Sequence, residues 1–158
     1  MMEKLDRYDR SLLMALQRDG RATNVELSAC AHLSAPQCYR RVQSLEEAGV
    51  IRGYTAQIDP ATVGFAVVAF IFLTIDRQEF KHLRKLEEVM SDFPEIVECH
   101  TITGDFDYLL RVVARDLKSL SQFLTDQLMQ VAGVASVRSM VSMEEIKKSS
   151  PLPIDKEA

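Results

Sequence analysis

No apolar run in this 158-residue chain reaches the roughly 18 residues that a membrane-spanning helix needs. The opening stretch, MMEKLDRYDRSLL, is charged throughout and has no apolar centre, so no secretory signal is expected there. A soluble, cytoplasmic protein with no membrane partner is the expectation. Excess positive charge is also missing. The net charge is −4, with eight cationic and eight anionic residues up to Pro60 and eleven and fifteen after it. A strongly basic nucleic-acid coat is therefore excluded, and any nucleic-acid contact must rest on locally placed cations. Cysteines are few, and Cys30, Cys38 and Cys99 show no metal-site spacing. Cys30 and Cys38 fall on helix faces expected to point inward and read as small core residues. There is no phosphate-binding glycine loop, no nucleophile–base pair and no strong metal motif. An enzyme, a metal and a cofactor are accordingly not expected. An enzymatic reading would have to use Glu98, His100, Asp105 and Asp107. Glu98 and His100 share one strand face, which also suits a plain polar sheet edge.

What is present starts with TNVELSACAHLSAPQCYRRVQSLEEAGVI, residues 23–51. Thr23 and Glu26 have the spacing of a capping box opening one short helix. Val25, Leu27, Cys30 and Ala31 are its apolar positions. The run Ala31-His32-Leu33-Ser34 breaks the helix, and Leu33 can plug the angle to the next. Ser34 caps the second helix, and Pro36 sits in its first turn, where a missing N–H costs little. Cys38, Val42 and Leu45 form its inward stripe, leaving Gln37, Arg40, Arg41 and Ser44 outside. Gly49 closes it. This is the outline of a helix-turn-helix, which places one helix in the DNA major groove. A small three-helix core with a merely solvated polar face would share the periodicity. The coincidence of caps, turn and paired arginines favours DNA. The expected DNA contacts are Ser34, Pro36, Gln37, Arg40, Arg41, Ser44 and Arg52. One copy offers few phosphate contacts, so two copies acting together are expected.

A first helix over 5–17, with Asp6 as its N-cap and Leu12, Leu13 and Leu16 inward, precedes this motif. Residues 51–58 read as a strand, either a small wing or a link, and Asp59-Pro60 marks a boundary. Beyond it, 65–75 reads as a long strand apolar on both faces, with Val67, Ile71 and Leu73 on one and Val68, Phe70 and Phe72 on the other. A helix over 78–91 carries Phe80, Leu83, Leu86 and Met90. A strand over 96–103, a Gly104-Asp105-Phe106-Asp107 turn and a returning strand over 108–114 make a hairpin. Leu117, Leu120, Leu124, Leu128 and Val131 mark a further amphipathic helix. The last strand runs from 134 to 146. The fold class is therefore α+β, a winged-type helix-turn-helix domain followed by a ferredoxin-like βαββαβ domain. Its bounds are 1–59 and 60–148, with an extended tail at 149–158. Two helices cover one sheet face, so the other apolar face is expected to pack on a second copy.

CYRRVQSLEEAGVIRGY, the Asp-Pro boundary, ECHTITGDFDYLLRV at the hairpin and a closing MEEIKKS together resemble the Lrp/AsnC family of transcriptional regulators. The similarity spans about residues 5–148. It implies a DNA-binding homodimer that assembles further, for example into octamers. It also implies a second domain carrying oligomer contacts and an amino-acid effector site. Carried onto this chain, the effector loop falls on Gly104, Asp105, Phe106, Asp107 and Tyr108, with Leu117, Met140 and Ser142 as outlying candidates. The chain departs from the family pattern at Ala35-Pro36 and at Arg138-Ser139-Met140. The residues themselves allow two readings of the turn. Asp107 can pair an effector ammonium while open backbone N–H groups take its carboxylate, or Asp and Gly can simply serve a hairpin turn. The implied function is a transcriptional regulator that binds a pseudo-palindromic operator and responds to an amino acid. The alternative is a ligand-sensing assembly module whose helix-turn-helix contacts protein.

Overall fold

The computed structural model describes residues 5–76 and 83–155. The chain divides into two compact units. The first holds residues up to Gln57 and takes the chain back from Lys147 onward; the second holds Ile58–Ile146.

Three helices form the first unit: α1 (Arg7–Arg18), α2 (Asn24–Ala31) and α3 (Ala35–Glu47). Each opens on a side chain that satisfies backbone N–H groups left without helical partners. Asp6 Oδ1 accepts from the N–H of Tyr8 at 2.8 Å and of Asp9 at 2.9 Å. Thr23 Oγ1 accepts from the Glu26 N–H at 3.3 Å, and Glu26 Oε2 accepts in return from the Thr23 N–H at 2.7 Å. Gln37 Oε1 accepts from the Ser34 N–H at 3.0 Å. The α2–α3 turn passes through His32 at φ 55. Helix α3 ends on a Schellman motif. The Val50 N–H reaches the Leu45 carbonyl and the Gly49 N–H that of Glu46, both at 2.9 Å. That geometry needs the left-handed φ of 70 at Gly49. Leu12, Leu27, Ala31 and Cys38 are buried together, with Ala15, Leu16, Ala22, Leu33 and Val42 packed against them.

Two expectations fail here. Cys30 is exposed, as is Val25, because only Leu27 and Ala31 of α2 reach the core. Residues 51–58 form no strand, and the described residues of this unit contain none at all. With no neighbouring ladder to hydrogen-bond, the segment cannot make a wing. It is a link outside any strand, tied back by the Tyr54 hydroxyl donating to Glu46 Oε1 at 2.9 Å.

The second unit is a four-stranded antiparallel sheet in the order β2-β3-β1-β4. Its elements are β1 (Val67–Ile75), α4 (Leu83–Ser91), β2 (Ile96–Thr101), β3 (Tyr108–Ala114), α5 (Leu117–Gln122) and β4 (Val134–Val141). This is the ferredoxin-like arrangement. One face packs Ala69, Ile71, Leu73, Ile75, Tyr108, Leu110, Val112 and Ala114 against Leu86, Met90, Leu120, Phe123 and Leu128. Each buried Leu, Ile, Val, Met or Phe side chain among them is worth about 1.5–3 kcal/mol of transfer free energy.

The element ends differ from expectation for local reasons. Strand β1 starts at Val67, since the Phe65 N–H closes a turn onto the Pro60 carbonyl at 2.9 Å. Phe80 lies outside the described residues. Helix α5 gives way to a π turn at Phe123–Gln127 and a 3-10 turn at Leu128–Gln130. Phe123 is buried, whereas Leu117 is 62% exposed. Strand β4 stops at Val141, not 146, two residues short of the start of β1 at Val67. The last paired residue is Val141 opposite Ala69, and the Ser142 N–H bonds the Val68 carbonyl at 2.8 Å.

Candidate functional site

The outer side of α3 carries Gln37, Arg40 and Ser44, spaced to share one stripe and all exposed. Ser34 and Pro36 are exposed at its start, and Arg52 is exposed on the link beyond its end. Tyr39, 56% exposed on the same helix, was not anticipated. It has no signal in the periodicity, since an aromatic in a helix usually reads as core.

Arg41 behaves differently from its neighbour. Its Nη1 lies 2.7 Å from Asp9 Oδ1 and 2.9 Å from Asp6 Oδ2. Its guanidinium also sits 5.4 Å from the centre of the Tyr8 ring. Arg41 is therefore not outward as expected: it is half-buried and turned toward α1. The reason is electrostatic, because the capping box of α1 places two carboxylates where this guanidinium reaches. Burial pushes the Asp6 carboxyl up, but the Asp9 and Tyr8 N–H groups and the charge of Arg41 outweigh it and hold it below its ordinary value. Partial burial disfavours the Arg41 cation, and its two carboxylates more than restore it. Arg40 makes no such ion pair among the described residues.

In the second unit the sheet face away from the helices is built in rows set by strand register. Phe72 of β1 lies opposite Leu109 on one side and Arg138 on the other; Phe70 lies opposite Arg111 and Met140. Phe70 is 38% and Met140 51% exposed. At the rim, Glu98 bridges Arg111 (3.0 Å) and His100 (3.6 Å), the polar-edge role. Among the described residues no group of three or more His, Cys, Asp or Glu is placed to hold a metal.

The turn Gly104-Asp105-Phe106-Asp107 sits at this face. Gly104 takes φ 118, and Asp105 is exposed. The Phe106 ring packs 5.1 Å from Phe72, and the Arg138 guanidinium stands 5.4 Å from the Phe106 centre. Sequence reasoning did not pick out Phe72 or Arg138 for this place. Only strand register brings them to the turn. Asp107 pins the turn to β1. Its N–H donates to the Leu73 carbonyl at 2.8 Å, and its Oδ2 accepts from the Ile75 N–H at 2.7 Å. Tyr108 points to the helix side of the sheet. It is 3% exposed, and its hydroxyl donates to Glu87 Oε1 at 2.9 Å. Burial, reinforced by Glu87, pushes its pKa up to about 12. Met140 shares the open face, and Ser142 follows β4. Leu117 lies past the opposite end of β3 from the turn. One copy of the chain therefore gathers Gly104 to Asp107 with Phe72 and Arg138, but not Tyr108 or Leu117.

A three-helix DNA-reading unit joined to a ligand-binding α+β unit defines a class, the effector-responsive DNA-binding transcriptional regulator. Residues 5–46 match the AsnC-type helix-turn-helix domain and residues 68–152 the Lrp/AsnC ligand binding domain. The chain belongs to the Lrp/AsnC family. It is 39% identical to the leucine-responsive regulatory protein of Escherichia coli (strain K12) over 150 residues, covering 95% of this chain and 92% of that one. A transcriptional regulator of Neisseria meningitidis, solved as a complex with L-Met, superposes with a TM-score of 0.90 at 36% identity. That match covers 96% of this chain and 98% of the other. An AsnC family regulator of Agrobacterium tumefaciens gives 0.88 at 36% identity, covering 98% and 100%. No helix among the described residues is long and apolar enough to cross a membrane.

Proposed function

We propose that this regulator works as a pair, extending to larger assemblies such as an octamer, on a pseudo-palindromic operator in the cytoplasm, with an amino acid as effector. The observation that carries the DNA half is the division of labour on α3. Its inner stripe is sealed in the core and Arg41 is anchored to α1. Gln37, Arg40 and Ser44 are left as one exposed stripe. In this reading Arg40 and Arg52 take phosphates or base edges, and Gln37, Ser34, Pro36 and Ser44 complete the contact. Two such helices held about one DNA turn apart, ~34 Å, would match a two-fold operator.

Pairing is supported by the open sheet face, where Phe70, Phe72, Val68, Leu109 and Met140 lack helical cover. The effector site is assigned to the turn at Gly104 to Asp107. Asp107 Oδ1 and Asp105 would meet the ligand ammonium, and Phe106 would line the cleft. Asp107 Oδ2 already accepts from the Ile75 N–H, which leaves Oδ1 as the freer oxygen for this role. Met140 and Ser142 lie on or after β4, and Leu117 would have to come from another copy. The L-Met complex of the Neisseria meningitidis relative and the leucine-responsive name of the Escherichia coli one favour an amino acid with an apolar side chain. Gel shift on DNA from the gene's own upstream region, with and without each of the twenty amino acids, tests both halves. Expected are a shifted band with wild type, its loss with Arg40→Ala, and a change of mobility or affinity with an apolar amino acid. No shift for wild type would point to the protein-contacting alternative. No effect of any amino acid at millimolar concentration would reject the effector assignment.

A further inference from the structure

After β4 the chain does not trail away. It returns to the DNA-reading unit and lies along α1. The side-chain amide of Gln17 meets the backbone of Leu152 in a two-bond ring. Oε1 accepts from the Leu152 N–H at 2.6 Å, and Nε2 donates to the Leu152 carbonyl at 3.2 Å. Two helical turns earlier on the same stripe, Arg10 Nη1 donates to the Asp155 carbonyl at 3.1 Å. Ile154 is half-buried, and its N–H closes a tight turn over Pro153 onto the Leu152 carbonyl at 2.8 Å. Pro151 and Pro153 restrict the free segment to extended conformations, so docking it loses little backbone freedom.

We propose that residues 150–155 are a clasp that ties the DNA-reading unit to the assembly unit by a second tether, with Gln17 and Arg10 as its positioning residues. The reasoning is topological and rests on the paired reading above. The assembly unit is an insertion: the chain leaves the DNA-reading unit after Gln57 and re-enters it at Lys147. The link 51–58 has no secondary structure and by itself would allow each DNA-reading unit a wide range of positions. A pair binds an operator well only if its two recognition helices are held near the half-site spacing. The second half-site is then met at high effective concentration. Each added tether narrows the range of spacings sampled. The clasp therefore acts on two-site binding and leaves the α3 surface untouched.

The test compares wild type with Gln17→Ala, with Gln17→Glu, which keeps an acceptor for the Leu152 N–H but removes the donor, and with a chain ending at Ser149. Each is titrated against a wild-type-bound duplex from the upstream region and against the same duplex with one half-site scrambled. We expect all three variants to lose roughly 10-fold or more in affinity for the intact duplex. Affinity for the scrambled duplex and the sedimentation of the free protein should stay unchanged. Equal losses on both duplexes would overturn the proposal, since the tail would then only stabilise the helical unit. No loss on either would overturn it as well. If the shortened chain fails to fold, the two Gln17 variants decide the matter alone. Failure of the paired reading shows separately, as wild type binding both duplexes equally well, and the clasp falls with it.

Discussion

Adjacent arginines on α3 have opposite surroundings, and they should fail differently when removed. Arg41 reaches two carboxylates of α1 and a tyrosine ring, whereas Arg40 is exposed. Arg41→Ala should therefore lower the urea midpoint of the helical signal, by about 1 kcal/mol for a partly exposed pair with two acceptors. Arg40→Ala should leave that midpoint in place and weaken DNA binding, with a shallower salt dependence by about one unit of slope. Unchanged DNA affinity for Arg40→Ala would remove it from the interface. The same cluster sets a pH response. The Asp6 carboxyl is held below its ordinary value of 3.8, so its ionised form is favoured in the folded state. Its contribution is complete above the ordinary carboxyl range and is lost as pH falls through the lowered folded value. Asp6→Asn keeps a cap acceptor but loses the charge. Wild type should exceed this variant by about 0.5–1 kcal/mol near neutrality. The gap should close in the most acidic range, as read from urea midpoints across pH.

Element ends are where expectation and structure part company. The start of α2 was legible because Thr23 and Glu26, a cap and its reciprocal partner, lie three residues apart in the chain, and the caps Asp6 and Ser34 marked the other two. The stop at Gly49 was legible because only a left-handed residue closes α3 there. Gly49→Ala should cost about 1 kcal/mol, seen as a lower urea midpoint with DNA contacts intact. What local pattern cannot show is whether a partner strand exists. Residues 51–58 belong to no ladder, and pairing of the last strand ends at Val141 with one further bond from the Ser142 N–H to the Val68 carbonyl. Nor could spacing reveal the π turn after Gln122, or that Leu117, the first residue of α5, stays exposed while Phe123 is buried. The candidate site divides the same way. The Gly104–Asp107 turn is visible in sequence, but the Phe72–Phe106–Arg138 stack depends on cross-strand register. The structural duty of Asp107 likewise depends on two backbone groups of β1. That duty gives a clean separation of roles. Asp107→Ala strands the Ile75 N–H and should destabilise the second unit by about 1–3 kcal/mol. Asp107→Asn retains an acceptor and should fold normally while losing its attraction for an ammonium. If Asp107→Asn responds to amino acids as wild type does in a thermal-shift titration, the carboxylate is a turn residue only.

At the scale of the whole molecule, the proposed pair answers a shortage of positive charge. The DNA-reading half carries no excess of positive charge up to Pro60, so a single copy gains little from bulk attraction to phosphates. In the proposed pair, binding strength comes from doubling the contact, through the open sheet face of the second unit. Strand β1 is apolar on both sides. The helices cover Ala69, Ile71, Leu73 and Ile75, and among the described residues Phe70 is not part of that core. Placing a charge at the centre of that face tests the link between assembly and DNA binding without touching α3. In a single copy, Phe70→Asp exchanges a 38%-exposed ring for a solvated carboxylate, a change the fold of one copy should tolerate. Between two sheets the same carboxylate would be buried without a partner, which costs several kcal/mol and disfavours assembly. Sedimentation at micromolar concentration should show Phe70→Asp as a monomer and wild type as a dimer or larger. Operator affinity should fall toward that of a single half-site, while the far-UV spectrum stays that of wild type. A variant that remains assembled and binds the operator fully would mean that copies meet through another surface, such as the exposed Met143 and Ile146 after β4. The open face would then need a different explanation.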